Sequence, residues 1–90
     1  MTLRIFEEAD EHGAVIELHG WLSAAEVGEV ETLVARQHGP LRIELAQLAG
    51  VDIEGLRTLR RLRAGGARLT GATPYVELLL QRSETGEEGT

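Results

Sequence analysis

The chain has no cysteine and no lysine among its 90 residues, and only one Phe, one Trp and one Tyr. Without Cys there is no disulfide framework and no thiolate metal site. With so few aromatics, a core must be assembled from Leu, Val, Ile and Ala. Proline is scarce as well: Pro40 and Pro74 are the two present. No apolar run approaches the roughly 20 residues needed to cross a bilayer, and no basic-then-apolar leader follows Met1, so no membrane insertion and a cytoplasmic location are expected. The length fits one small domain. The formal net charge of −6 argues against nucleic acid as a partner. All nine cationic side chains are Arg, and five of them (Arg57, Arg60, Arg61, Arg63, Arg68) fall in residues 55–70, a stretch without an acid.

Periodicity divides the rest. Leu3 and Ile5 alternate with Arg4 and Phe6, which predicts a first strand. Asp10-Glu11-His12-Gly13 reads as a hairpin turn, and Ala14 to His19 as the second strand, broken by Gly20-Trp21-Leu22. Ser23-Ala24-Ala25-Glu26 has the form of a capping box, in which the Ser23 hydroxyl accepts from the Glu26 amide. It opens a helix from about Ala24 to His38, with Val27, Val30, Leu33 and Val34 on one stripe and Gly39-Pro40 as its stop. Leu41, Ile43 and Leu45 alternate as a third strand. Asp52 is a good N-cap for a second helix with Leu56, Leu59 and Leu62 on its buried face, ending at Gly65-Gly66. Ala67–Thr70 reads as a fourth strand. Thr73-Pro74 starts a last helix that buries Val76, Leu79 and Leu80. The expectation is α/β: a small mixed sheet of about four strands with helices packed on it, in the order β-β-α-β-α-β-α. Residues 1–82 form the domain and residues 83–90 a disordered acidic tail.

From spacing alone, Asp52-Ile53-Glu54-Gly55-Leu56 is an ordinary helix start: Asp52 caps, Glu54 suits the positive end of the dipole, and Gly55 allows close packing. Taken with its surroundings, the stretch resembles the signature of STAS domains, the family of anti-sigma factor antagonists and sulfate-transporter tails. Asp-x-x-Gly-Leu follows an alternating strand and opens a helix. Leu18-x-Gly20-x-Leu22 is similar to the family's strand-two ending, although Ser23 stands where an Asp is usual. Gly65-Gly66-Ala67-Arg68-Leu69-x-Gly71 looks like the segment around the fourth strand, and Pro74-x-Val76-x-x-Leu79-Leu80 like the final helix. The resemblance spans roughly residues 3–81.

It implies a binding module, not an enzyme, with no cofactor. In the sigma-pathway members the turn and the helix after it dock onto a kinase-type anti-sigma factor, and phosphorylation of a Ser after the Asp blocks docking. In this chain Asp52, Gly55 and Leu56 match, but Ile53 occupies the Ser position, and Ile cannot be phosphorylated. The expected partner surface is Asp52, Ile53, Glu54, Gly55 and Leu56 with Arg57, Arg60 and Arg61, read either as a solvated basic face or as a patch for an acidic partner. The expected function is an antagonist-like regulator of transcription without the Ser switch. The alternative is the STAS subunit of a lipid-transport complex, whose partner would be an ABC ATPase. A homodimer stays open. His12, His19 and His38 fit no metal-ligand spacing. Ser23, Thr58, Thr70 and Thr73 have ordinary places as caps or helix-surface residues, and no nucleophile–base pair is visible. Trp21 is left open between a core lid and an exposed contact.

Overall fold

The computed structural model describes residues 2–88, with side chains through Gln81. Strand β1 (Leu3–Asp10) and strand β2 (Gly13–Leu22) form an antiparallel hairpin. Asp10 holds its two-residue turn by accepting from the His12 amide at 2.8 Å. Helix α1 (Ala24–Ala35) carries the chain to β3 (Leu41–Glu44), which lies parallel to the first half of β2. A short β4 (Leu48–Val51) then pairs, also parallel, with the far end of β2. Helix α2 (Ile53–Ala64) leads to β5 (Arg68–Thr70), parallel to β3, and α3 (Pro74–Glu88) closes the fold. The expected mixed sheet and element order are present, with β4 added.

β3 and β4 occupy one position in the sheet. Both lie along β2, interrupted by the turn at Ala46-Gln47, where the Leu48 amide reaches back to the Leu45 carbonyl at 3.1 Å. Five strands therefore fill four places, β1-β2-(β3/β4)-β5. Two further boundaries differ from expectation. Gly20-Trp21-Leu22 does not end the second strand; a register shift between Gly20 and Trp21 absorbs the irregularity and β2 continues to Leu22. Helix α1 stops at Ala35 rather than at about His38: the Arg36 and Gln37 amides turn to the Leu33 and Val34 carbonyls three residues back, at 3.2 and 3.0 Å, and the Gln37 side chain also donates to the Leu33 carbonyl at 3.0 Å. The backbone of α3 runs through Glu88, across residues 83–88 of the expected 83–90 tail; the side chains from 82 on and residues 89–90 lie outside the described residues.

Alternation along β2 and β3 sends Ile16, Leu18, Leu22, Ile43 and Leu45 to one face. There they join Val30 of α1, Leu56 and Leu59 of α2, and Val76 and Leu80 of α3 in a single core. All three helices thus cover one face of the sheet. The other face carries Phe6, Glu17, His19, Trp21, Arg42 and Glu44 and, among the described residues, has no helix over it. Phe6 and His19 meet there in a tilted contact, ring centroids 4.6 Å apart and planes at 56°, and His19 Nε2 lies 3.0 Å from Glu17 Oε1. Trp21 is neither lid nor free contact: it is half-buried, with its ring lying where a Cβ on Gly50 would fall.

Candidate functional site

The Asp52 turn sits where the carboxyl ends of β2 and β4 meet the N-termini of two helices. The Asp52 amide donates to the Leu22 carbonyl at 3.0 Å, tying the turn to the end of β2. Its side chain caps α2 as expected, Oδ1 accepting from the Gly55 amide at 2.8 Å. The second oxygen does more: Oδ2 accepts from the Ala24 amide at 2.9 Å, in the first turn of α1. One carboxylate therefore bridges the positive ends of two helices. Beside it, the Glu26 carboxylate accepts from the Ser23 amide at 3.3 Å and from the Ser23 hydroxyl. The Ser23–Glu26 pair forms the expected capping box, and in addition the Ser23 hydroxyl donates to Glu26 and the Glu26 amide donates to the Ser23 backbone carbonyl at 2.9 Å.

The two amide bonds to Asp52 favour its ionised carboxyl. The Asp52 pKa is held below the ordinary carboxylate value, first by the Gly55 amide and then by the Ala24 amide. Asp10 is lowered as well, first by the His12 amide, with Arg42 assisting. A carboxylate whose folded pKa is depressed contributes stability above its unfolded pKa, about 4, and that contribution disappears as pH falls through the folded value. Asp52→Asn keeps a capping oxygen but loses the charge. Its melting temperature is expected to lie several degrees below wild type at pH 6, and the gap should narrow as pH falls below about 4. A gap that stays constant between pH 6 and pH 2 would show that the charge at Asp52 contributes nothing.

The remaining expected site residues divide sharply. Ile53, at the first helical position, is 56% exposed. Glu54 is exposed and pairs with Arg57 at 3.0 Å. Gly55 and Leu56 face inward, and Gly55 sits against the Leu22 carbonyl. Arg61 is exposed and reaches α1, where Nη2 lies 2.8 Å from Glu31 Oε2. Arg60 lies on the other flank of α2, half-buried, with its Nε shielded from solvent. The expected basic face is therefore close to charge-balanced: acids from α1 and from the first turn of α2 neutralise Arg57 and Arg61, and Arg60 belongs partly to the packing. Thr58, expected at the surface, is buried beneath Arg61, which donates to its hydroxyl at 3.3 Å. Sequence reasoning did not single out Tyr75 and Leu78, which are 55% and 51% exposed on α3. Their signal was their position off the Val76–Leu80 stripe.

Among the described residues, no group of His, Asp and Glu could hold a metal ion, and no helix is long and apolar enough to cross a membrane. A cavity of about 410 Å³ opens at the far end of the helix layer, between Val34, Gln37 and Leu41 on one side and Arg61 and Leu62 on the other. Its lining has one charged side chain, Arg61, already bonded to Glu31, so it offers no acid–base pair.

A mixed sheet covered on one face by three helices, with an Asp-capped helix opening beside the end of its second strand, defines a STAS-like fold. The structural comparison agrees: the chain is similar to the crystal structure of an antisigma-factor antagonist, a STAS domain from Rhodobacter sphaeroides, with a TM-score of 0.60 over 77% of this chain and 86% of that one. Sequence identity is 18%, so the likeness is one of fold. No family model and no curated protein matches the chain.

Proposed function

We propose that this domain is a non-enzymatic protein-binding module, an antagonist-like regulator that docks onto a kinase-type anti-sigma factor through the Asp52–Leu56 turn and the outer face of α2. The observation that carries the reading is Ile53. It is a large apolar side chain, 56% exposed, at the tip of a helix whose N-terminus is fixed by the Asp52 bridge and by the packing of Gly55 on Leu22. A rigid turn that presents an exposed apolar residue, flanked by the Glu54–Arg57 pair, has the make-up of a contact hot spot with a polar rim. It has no hydroxyl at that place, so binding would not be switched by phosphorylation there. The STAS fold of a known antisigma-factor antagonist supports the class of partner.

The test is a pull-down from source-cell lysate with wild type and Ile53→Glu side by side, the captured proteins being identified by mass spectrometry. Ile53→Glu is expected to melt within a few degrees of wild type, since it changes an exposed helix position. Capture of an anti-sigma kinase that drops at least about tenfold with Ile53→Glu would support the reading, a loss in the range of a single hot-spot residue. Capture of an ABC ATPase instead would move the protein to the lipid-transport role. Equal capture by both forms would remove the turn from the interface. Arg57, not the half-buried Arg60, is the charge to reverse in a companion variant.

A further inference from the structure

The sheet has one long open edge. Among the described residues β1 is paired on one side only, whereas the opposite edge, β5, is three residues long. Hydrogen bonding fixes which groups that edge presents. The Trp21 amide donates to the Thr2 carbonyl, so Thr2 is a bonded position against β2. In an antiparallel pair bonded and non-bonded positions alternate. Arg4, Phe6, Glu8 and Asp10 therefore spend their backbone groups on β2, and Leu3, Ile5, Glu7 and Ala9 point theirs outward. Two other bonds agree: the amides of Gly20 and Ala14, opposite Leu3 and Ala9, turn away from β1 to Gln47 and Pro40.

The geometry points to a second copy of this chain as the occupant of that edge, joined β1 to β1 in antiparallel fashion around a two-fold axis at Phe6. In that register Leu3 bonds with Ala9 of the second copy and Ile5 with Glu7 of the second copy. With their symmetry mates these make about eight backbone hydrogen bonds. The intervening positions are the close, non-bonded ones, where facing side chains meet most tightly. They place Phe6 opposite Phe6, Arg4 opposite Glu8 and Glu8 opposite Arg4. All three side chains are exposed on the helix-free face, where Phe6 rests on His19. Among the described residues Arg4 and Glu8 make no ion pair within the monomer. Glu7, on the helix-covered side, is already held by Gln37 Nε2 at 2.7 Å.

Neighbouring registers of the same parity are worse. Centring the axis on Glu7 sets that carboxylate opposite itself. Centring it on Ile5 sets Arg4 against Phe6 and leaves Glu8 to Asp10 overhanging. The self-complementary order Arg4, Phe6, Glu8 thus selects one register and one partner, another copy, and produces a continuous sheet across the dimer.

Sedimentation velocity over a concentration series in about 0.15 M salt, where repulsion between two chains of net charge −6 is screened, tests this. Wild type is expected to show a monomer–dimer equilibrium. Arg4→Glu creates two like-charge pairs and should raise the dissociation constant at least about tenfold. The double variant Arg4→Glu/Glu8→Arg restores opposite charges and should return to within a few-fold of wild type. Glu7→Pro removes an outward amide unused in the monomer and should leave monomer only, with the circular dichroism spectrum of each variant confirming its fold. A wild type that is monomeric to about 1 mM overturns the proposal. So does an Arg4→Glu protein that associates like wild type, or a double variant that stays monomeric.

Discussion

Leu59→Asp is expected to abolish the cooperative thermal transition and leave a chain with little native circular dichroism. Leu59 has no exposed surface and lies on α2 in the core that also contains Leu18, Leu22, Leu48 and Leu80. Removing a buried Leu side chain alone costs about 2–5 kcal/mol. The carboxyl adds the penalty of a polar group without a partner in an apolar site, or the work of protonating it at neutral pH. A domain of this length has a total stability of roughly 5–13 kcal/mol at ordinary values per residue. The two costs together approach or exceed the lower half of that range. Leu78→Asp makes the same chemical change at a position 51% exposed, and should shift stability by no more than about 0.5 kcal/mol. Chemical-denaturant curves on the pair give the comparison. If Leu59→Asp unfolds at the same denaturant concentration as wild type, α2 does not pack as described.

The features that could be read in the sequence are those whose cause is local. Leu56 and Leu59 recur at helical spacing and are buried. Thr73-Pro74 announces α3, and the Thr73 hydroxyl does accept from the Val76 amide, at 3.3 Å. Asp10 to Gly13 has the composition of the tight turn it forms. What escaped was set by partners distant in sequence. β4 is a poor strand by composition, with Ala49 and Gly50 at its centre, and exists because the far end of β2 supplies its ladder. Nothing near Asp52 indicates that its second oxygen caps a helix 28 residues earlier in the chain. The basic face of α2 is legible as a run of Arg, yet its neutralisation by Glu31 depends on how α1 and α2 lie together. Thr58 departs from expectation for the same reason: a hydroxyl reads as a surface group, and only the fold brings the Arg61 that donates to it over it. The sequence thus proposes a turn and a helix as the candidate site, while the electrostatic character of that region comes from tertiary contacts.

Gly55→Ala is expected to destabilise the domain, because overpacking at this site, typically about 1–3 kcal/mol, outweighs the usual preference of helices for Ala over Gly, which is about 1 kcal/mol in the other direction. A Cβ on Gly55 would lie 2.5 Å from the Leu22 carbonyl oxygen and 2.9 Å from Leu22 Cγ. The carbonyl is backbone and cannot rotate aside, because it accepts from the Asp52 amide at 3.0 Å. Relief requires α2 to move off the end of β2, which stretches the Asp52–Gly55 and Asp52–Ala24 bonds together. Gly28 on α1 supplies the reference: a Cβ there meets nothing within 4 Å, so Gly28→Ala should stabilise by about 0.5–1 kcal/mol. Thermal melts of the two alanine variants should therefore move in opposite directions from wild type. A Gly55→Ala protein as stable as Gly28→Ala would mean that the contact with Leu22 is loose. Because Ile53 is carried on the same first turn, the displacement reaches the proposed docking surface: Gly55→Ala should also weaken partner capture at temperatures where the variant is still folded. The glycine then sets the position of the turn, and the exposed isoleucine uses it.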